Sequence, residues 1–184
     1  MRVLISGAAG FLGSHLCERL LCEGHSVIGM DNFVTGSPEN LAHIAGNPRF
    51  YFVRHDVSNF IFVPGEKVDA VMHFASFIQV GESVRRPGLY YRNNFAYTLN
   101  LLDAMVLAGV KRFIFSSTAA IFGEPEYVPL DERHPQRPIN PYGMSKQMVE
   151  HALGDYDRAH GMKSVCLRYF NAAGAHPDGS LGER

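Results

Sequence analysis

Two side chains that could move a proton, Tyr142 and Lys146, stand four residues apart. On a helix this spacing places both on one face, one turn apart, so the ammonium group would lie close to the phenol. A nearby cation favours the phenolate and is expected to lower the pKa of the tyrosine, which would make it a competent general base. A Tyr-x-x-x-Lys pair by itself is usually a solvated helix face, so this interpretation depends on the surrounding motifs.

Three hydroxyl residues, Ser116, Ser117 and Thr118, directly follow the apolar run 112–115. Ligands bind outside the carboxyl ends of strands in open α/β sheets, so one of these hydroxyls could bind the substrate oxygen that is oxidised. The alternative is three turn residues that bond their own backbone. The spacing does not choose among the three.

A glycine-rich turn, with Gly7, Gly10 and Gly13, follows the first apolar run. Glycine permits a tight turn and lets backbone N–H groups approach a pyrophosphate, while the start of the next helix supplies positive potential. Asp31 stands at the end of the second apolar run, where a carboxylate can accept hydrogen bonds from an adenosine ribose and would repel a 2′-phosphate. Together these features predict a dinucleotide site that prefers NAD to NADP.

Asp56 and Val57 follow the third apolar run and are a further candidate for the cofactor site. A side chain there could bond the amino group of adenine. An Asx turn or a helix cap explains the aspartate equally well.

The elements that must position these residues alternate along the chain. Apolar runs without polar alternation are typical of parallel strands that are covered on both faces. The rhythm predicts repeated βαβ units, and therefore an α/β fold with a Rossmann-type, doubly wound, mostly parallel sheet and helices on both faces. The predicted strands are 2–6, 26–30, 50–53, 70–74, 112–116 and 164–168, and the clearest helices are 13–23, 91–108 and 142–160.

Glycines at positions 24, 109 and 161 stand where these three helices should end. The proline-rich stretch 123–141 is predicted to be a loop that could form one wall of a binding site. The last residues, 174–184, offer no apolar stripe, and no packed element is expected there.

Composition limits the remaining possibilities. The 184 residues are 46% apolar and carry 17 Lys and Arg against 18 Asp and Glu, which gives a formal charge of -1. This balance is typical of one globular domain and provides no basic field for nucleic acid or an anionic membrane. No apolar run approaches the ~20 residues of a membrane-spanning helix, so we expect a cytoplasmic protein. The histidines and three cysteines show no metal-ligand spacing, and no metal site is predicted.

The sequence resembles the extended short-chain dehydrogenase/reductase family over its whole length. The motifs that carry this resemblance are Gly7-x-x-Gly10-x-x-Gly13, Asp31-Asn32, His73-Phe74-Ala75, Ser116-Ser117-Thr118 and Tyr142-x-x-x-Lys146. Within the family it is most similar to the branch that inverts C4 of UDP-hexoses. That narrower match is carried by the segments 80–84, 90–94, 113–117, 167–171 and 174–177.

The resemblance implies a role for each matching residue. Thr118 would hold the substrate O4, with Tyr142 as the base, Lys146 as its electrostatic partner and Asn171 against the nucleotide sugar. NAD would be the cofactor. Its remaining contacts would come from Gly7, Gly10, Phe11, Leu12, Gly13, Asp31, Asn32, Phe33, Thr35, Gly36, Asp56, Val57, Phe74, Ala75, Ser76, Asn93, Ser116 and Phe170.

The implied activity is interconversion of UDP-glucose and UDP-galactose by reversible hydride transfer. Nucleotide-sugar dehydratases of the same family have an acidic pair immediately after the threonine, and UDP-glucuronate decarboxylases have a glutamate two residues after it. This chain has Ala119 and Ala120 at those positions. Those enzymes remain the enzymatic alternative, because the segments 31–36 and 55–57 resemble the decarboxylases more closely. A homodimer through the helices 91–108 and 142–160 is also implied, although their apolar faces could equally belong to the core.

Relatives in this family continue well beyond 184 residues. We therefore expect residues 1–184 to form the NAD-binding domain and most of the substrate lobe to be absent. Because turnover requires the sugar to be held near the nicotinamide, an NAD-binding module without turnover is the non-enzymatic alternative.

Overall fold

The computed structural model describes residues 1–59, 67–179 and 181–182. Six strands form one parallel sheet in the order β3-β2-β1-β4-β5-β6. This order confirms the predicted doubly wound sheet. The strands are β1 (Arg2–Ser6), β2 (Ser26–Asp31), β3 (Phe50–Arg54), β4 (Ala70–His73), β5 (Arg112–Ser116) and β6 (Lys163–Leu167).

The strand order reverses between β1 and β4, which lie side by side with Ser6 opposite His73. The connections that leave these two strands depart to opposite sides, so a crevice opens beyond their carboxyl ends. The turn at Gly7 follows β1, and Phe74 follows β4. The fold thus places the predicted glycine turn at the point where such sheets bind ligands.

The helices are α1 (Phe11–Cys22), α2 (Val80–Arg85), α3 (Pro87–Tyr90), α4 (Tyr97–Leu107) and α5 (Pro141–His160). Short 3-10 segments cover Pro38–Ile44 and Ala119–Ile121. The glycines after α1, α4 and α5 have φ angles of 85°, 70° and 67°, so the predicted helix ends lie where a left-handed residue is needed.

The helix predicted over 91–108 is not a uniform α-helix. Its first part, Tyr91–Ala96, is a π-helix that connects α3 to α4. The Asn94 side chain holds the backbone of Phe77 from both sides, because its amide donates to the Phe77 carbonyl (2.9 Å) and its oxygen accepts from the Phe77 N–H (3.0 Å). Wider π turns often occur at functional sites.

Two hydrophobic clusters cover the two faces of the sheet. One packs α4 and α5 against β4 and β5 through residues such as Leu101, Met105, Val149 and Phe113. The other packs α1 against β1 and β2 through Cys17, Leu21, Ile5 and Val27. The buried apolar residues of the two long helices therefore belong to the core of this chain. The sequence had left open whether these faces form the core or a dimer interface.

Residues 174–179, 181 and 182 are packed more closely than the sequence suggested. Leu181 is buried, and the His176 N–H donates to its carbonyl at 2.8 Å. Ala175 and Gly182 form an isolated antiparallel bridge. None of the helices in the described ranges is both long and apolar enough to cross a membrane.

Candidate active site

The glycine turn after β1 is closely packed against backbone on both sides. A Cβ on Gly7, whose φ is 75°, would lie 2.7 Å from the backbone nitrogen of Ala75. A Cβ on Gly36 would lie 2.9 Å from the carbonyl carbon of Ala9. These approaches leave room for glycine alone, and they bring the turn, the end of β4 and residue 36 together.

Asp31 ties this turn to the end of β2. One carboxylate oxygen accepts from the Ala9 N–H at 2.9 Å, and the other accepts from the Phe33 N–H at 2.8 Å. The aspartate is buried. Because each oxygen retains a further lone pair, the carboxylate can also accept hydroxyl donors from a ribose.

Asp56 lies beside Asn32, another residue of the predicted cofactor site. The Asn32 amide donates to Asp56 at 2.8 Å, and the Ser58 N–H donates to the other oxygen at 2.8 Å. Partial burial opposes ionisation, but these hydrogen bonds outweigh it and lower the pKa of Asp56. The contact with Ser58 N–H is an Asx turn, so the structural alternative for Asp56 is also present.

Two neighbouring cavities form a crevice beyond the carboxyl ends of β1 and β4. The smaller, of about 90 Å³, adjoins the glycine turn, and the larger, of about 580 Å³, extends toward α3. Asn32, Val34, Phe77 and Asn93 line both. Predicted cofactor residues that line the smaller cavity are Gly7, Gly10, Asp31, Asn32, Thr35, Val57, Phe74, Ala75, Ser76 and Asn93.

The predicted catalytic residues meet at the carboxyl end of β5. Lys146 is buried in α5, and its Nζ donates to the Ser76 hydroxyl and to the Ser116 carbonyl, each at 2.8 Å. The same Nζ lies 4.8 Å from the Phe115 ring centroid and 6.0 Å from that of Tyr142. Lys146 therefore connects the cofactor side of the crevice, at Ser76, to the hydroxyl cluster.

The protonation of this pair differs from the prediction. Burial raises the pKa of Tyr142 above its ordinary value; the Thr118 hydroxyl opposes this shift, and the neighbouring Tyr169 adds to it. Burial also lowers the pKa of Lys146 to about 7. The prediction that Lys146 lowers the pKa of Tyr142 is therefore wrong for this structure, because both groups are desolvated.

Tyr142 is supported from behind by a second buried tyrosine. The ring of Tyr90 meets that of Tyr142 edge to face, with the centroids 6.4 Å apart. Its hydroxyl donates to Glu82 at 3.0 Å and accepts from the Gln79 N–H at 3.1 Å. Burial and the Glu82 hydrogen bond raise the pKa of Tyr90 to about 12, so it is a neutral support.

His73, at the end of β4, is fully enclosed. The Thr98 hydroxyl donates to the Asn94 carbonyl at 2.8 Å, so it must accept from Nε2–H of His73 at 2.9 Å. Nδ1 then accepts from the Ser6 hydroxyl at 2.6 Å. Burial, assisted by Lys146, lowers the pKa of His73 to about 3, and the neutral ring joins β1, β4 and α4.

Other predicted residues lie at or beyond the edge of this crevice. Gly13, Phe11 and Leu12 begin α1, and Phe33 stacks on Phe52 with its ring centroid 5.2 Å away. Phe170 and Asn171 follow β6 and are exposed. The loop 123–141 contributes no residue to either cavity in the described part of the chain; His134 holds it by accepting from the Glu126 N–H.

Several site residues were not predicted. Met30, His55 and Phe77 line the smaller cavity, and Arg86 and Arg92 line the larger one. Glu150 and Arg168 form a partly buried ion pair next to the hydroxyl cluster. Glu150 could have been found, because it continues the four-residue spacing of Tyr142 and Lys146.

Residues 3–184 match the sequence model of the NAD dependent epimerase/dehydratase family. The chain belongs to the NAD dependent epimerase/dehydratase family. Among curated members, it is 44% identical over 187 residues to the UDP-glucose 4-epimerase of Lacticaseibacillus casei. The match covers 100% of this chain and 55% of that relative.

Solved structures of the epimerase/dehydratase family superpose closely on this chain. The UDP-glucose 4-epimerase of Brucella ovis, in complex with NAD, gives a TM-score of 0.89 at 40% identity, covering 100% of this chain and 56% of that one. The enzyme of Bifidobacterium longum, in complex with NAD+ and UDP, gives 0.90 at 38% identity, covering 100% and 57%. The chain thus spans about half the length of these family members.

Proposed function

We propose that this chain forms the cofactor-binding and proton-transfer half of an NAD-dependent UDP-hexose 4-epimerase, which interconverts UDP-glucose and UDP-galactose. The observation that carries the proposal is the position of Lys146. Its Nζ donates both to Ser76 on the cofactor crevice and to Ser116 at the hydroxyl cluster. A dinucleotide in the crevice would therefore end beside the partly buried phenol of Tyr142.

The crevice has the features that an adenine dinucleotide needs. Gly7 and Gly13 let the start of α1 pack closely on the turn after β1, because a Cβ at either position would collide with backbone. Gly7 and Gly10 line the smaller cavity, where a pyrophosphate would meet the start of the helix. Asp31 offers acceptors for the ribose hydroxyls, and Asp56 lies at the wall of the larger cavity, where adenine would fit. When bound, NAD supplies a reversible acceptor for the hydride at C4 of the sugar.

The protein's own residues handle the proton. Tyr142 is the base that removes the proton from the substrate O4 and later returns it. Its raised pKa keeps the phenol protonated in this structure, so the basic form requires added positive charge nearby. Lys146 and Thr118 hold the reacting groups: the former anchors the strand end, and the latter presents its hydroxyl to the O4 and the phenol.

The UDP part of the substrate is also part of this proposal. Relatives of about twice the length act on UDP-glucose, and one was solved with UDP. Asn171 is exposed beyond β6, where it could reach a nucleotide sugar. Phe170, next to it, is 69% exposed and would line the nicotinamide end of the cofactor.

The alternative enzymatic functions are dehydration and decarboxylation of a nucleotide sugar. Both need an acid close to Thr118, but the following residues are Ala119 and Ala120, which lie in the 3-10 turn 119–121. The carboxylate of Glu150 contacts the cluster, but it is already bound by Arg168 and Ser117. Incubation with UDP-glucuronate and with UDP-galactose separates the two possibilities, and only the second should be converted.

The cofactor half of the proposal is tested by mass spectrometry of the ligands released when the purified protein is denatured. NAD at close to one equivalent is expected. The chemistry is tested by NMR of UDP-galactose after incubation, with Tyr142→Phe as the inactive variant and Tyr156→Phe, on the same helix, as the control. Bound NAD without conversion of any UDP-sugar would indicate a binding module, and the absence of bound NAD would refute the whole proposal.

A homodimer is a further part of the proposal. α4 and α5 lie side by side, and the Tyr156 hydroxyl donates to Asp103 across them. Their buried sides form the core, so only the outward sides, where Leu107 is 74% exposed, could meet a second copy. Analytical ultracentrifugation would test this arrangement. Cytoplasmic localisation stays a prediction of the sequence, which cell fractionation would test.

A further inference from the structure

One face of α5 carries three functional side chains at four-residue intervals, Tyr142, Lys146 and Glu150. Each reaches the segment 116–118 at the end of β5. Lys146 donates to the Ser116 carbonyl, and Glu150 accepts from the Ser117 hydroxyl. The hydroxyl of the next residue, Thr118, influences the phenol of Tyr142. Three successive residues at the end of β5 thus interact with three residues of α5 that lie one turn apart.

Glu150 is held in place by several hydrogen bonds. Its side chain is 8% exposed and forms a forked ion pair with Arg168. The Nη2 of Arg168 donates to Oε2 at 2.6 Å, and its Nε donates to Oε1 at 3.1 Å and to Oε2 at 3.2 Å. Arg168 also lies over the Phe122 ring, 5.5 Å from its centroid. Two charges held in this geometry form a rigid group, because a planar guanidinium fixes the orientation of the carboxylate.

This rigid group acts on a segment that is fixed at its other points too. The Ser117 N–H donates to the Phe115 carbonyl at 3.0 Å, and the Ala119 N–H donates to the Tyr169 carbonyl at 3.1 Å. Thr118 lies between these points in an extended conformation, with φ of -158° and ψ of 151°. Its hydroxyl oxygen accepts from the Ala120 N–H at 3.1 Å, which leaves the hydroxyl proton to donate elsewhere. Because Thr118 directly follows Ser117, the side-chain bond of Ser117 to Glu150 is a further point that holds this segment.

We propose that Glu150, fixed by Arg168, is a positioning residue that acts through the Ser117 hydroxyl to aim Thr118 at Tyr142. The role deepens the proposed function and rests on it, because Thr118 and Tyr142 are its catalytic pair. Glu150 lines neither cavity of the crevice. Loss of the Ser117 contact would remove one of the points that hold this segment, and the Thr118 hydroxyl would be held less closely to Tyr142.

The test is an NMR titration of the phenol itself, which needs neither cofactor nor turnover. Incorporation of 3,5-difluorotyrosine at position 142 lowers the pH at which this phenol ionises. The ¹⁹F signal then follows the ionisation of residue 142 alone. Ser117→Ala is expected to raise the titration midpoint of Tyr142. In the unmodified protein the Thr118 hydroxyl lowers the pKa of this phenol, and the substitution weakens that effect. In a Thr118→Val background, the same substitution should leave the midpoint unchanged.

Glu150→Gln is the second variant, and it separates positioning from simple electrostatics. Removal of a negative charge would by itself lower the midpoint of a neighbouring phenol, whereas loss of positioning raises it. Asp157→Asn, which removes the exposed pair with Lys163 at the end of α5, is the matched control and should change nothing.

An unchanged or lowered midpoint in both variants would overturn the proposal. So would a rise of equal size in the Thr118→Val background, because a general structural effect does not require Thr118. If Ser117→Ala fails to fold, Glu150→Gln decides, with Arg168→Lys as its counterpart on the other side of the pair. Titration of NAD into the same variants separates this proposal from the proposed function. Unaltered NAD binding together with a shifted titration midpoint of Tyr142 supports positioning by Glu150. If the proposed function itself is wrong, the unmodified chain will fail to bind NAD.

Discussion

A Cβ placed on Gly13 would lie 2.0 Å from the carbonyl oxygen of Gly7, well inside van der Waals contact. The first turn of α1 is therefore packed directly onto the turn that leaves β1. The geometry allows backbone N–H groups to face the crevice, since no side chain stands between the helix and the strand.

Gly13→Ala should therefore damage both folding and cofactor binding. We expect the free energy of unfolding to fall by about 2–4 kcal/mol, as for overpacking and backbone displacement, and NAD binding to fall at least tenfold. Gly46→Ala is the matched control, because a Cβ at Gly46 meets nothing within 4 Å. Chemical denaturation and NAD titration measure the two effects, and similar behaviour of the two variants would contradict the packing argument.

Asp31→Asn should relax the choice between NAD and NADP. The aspartate accepts two backbone N–H groups, from Ala9 and Phe33, and an amide can accept only one of them. We expect NAD affinity to fall roughly tenfold, about 1.4 kcal/mol, and NADP affinity to fall less or to rise, because the repelling charge is removed. Asp103→Asn, on the surface between α4 and α5, is the control, and an unchanged ratio of the two affinities would show that Asp31 does not select the cofactor.

Lys146→Met should reveal the cost of burying an amine. The folded pKa is about 7 against an ordinary 10.5, so between these values the unfolded chain binds more protons than the native one. Stability of the unmodified protein should thus rise with pH across this window, by up to about 1.4 kcal/mol per pH unit from this group. The methionine variant lacks this contribution.

The measurement for Lys146 is urea denaturation of both proteins at several values from pH 7 to 9. The stability of the methionine variant relative to the unmodified protein should decrease steadily as the pH rises. The hydrogen bonds lost at Ser76 and Ser116 add a constant difference that does not alter this slope. Parallel curves would mean that the amine keeps its ordinary pKa.

His73→Gln should make the protein less sensitive to acid. The folded pKa of about 3 lies below the ordinary 6.5, so the unfolded chain binds the extra proton as the pH falls through this window. The contribution of neutral His73 is complete above pH 6.5 and is lost toward pH 3. Comparison of unfolding free energies at pH 7 and pH 4.5 should show a smaller loss for the variant, whereas His151→Gln, at an exposed position, should follow the unmodified protein.

The fold could be predicted where local patterns determine it. β1 and β5 begin and end where their apolar runs predict, and the glycines at 24, 109 and 161 end their helices as expected. The π-helix at Tyr91–Ala96 could not be predicted, because the contact that accompanies it joins Asn94 to Phe77, seventeen residues earlier. Periodicity describes neighbours on one helix and carries no information about such a partner.

The sequence predicted which residues lie at the site better than it predicted their pKa values. Residue types and spacing placed Tyr142, Lys146 and the hydroxyl cluster at one strand end, where the structure also has them. The direction of the tyrosine pKa was wrong, because desolvation depends on how much protein surrounds a group, and spacing does not reveal that. The role of Arg168 was hidden for a similar reason: its partner, Glu150, is eighteen residues away on another element.

The wider turn at Tyr91–Ala96 holds one residue more than a regular α-helical turn, because its hydrogen bonds span five residues instead of four. Deletion of one residue from this turn would therefore convert it to α-helix and leave α4 at its present angle, with Leu101, Leu102 and Met105 still on the sheet. The extra residue serves the contact of Asn94 with Phe77, and the deletion would remove that contact while sparing the core.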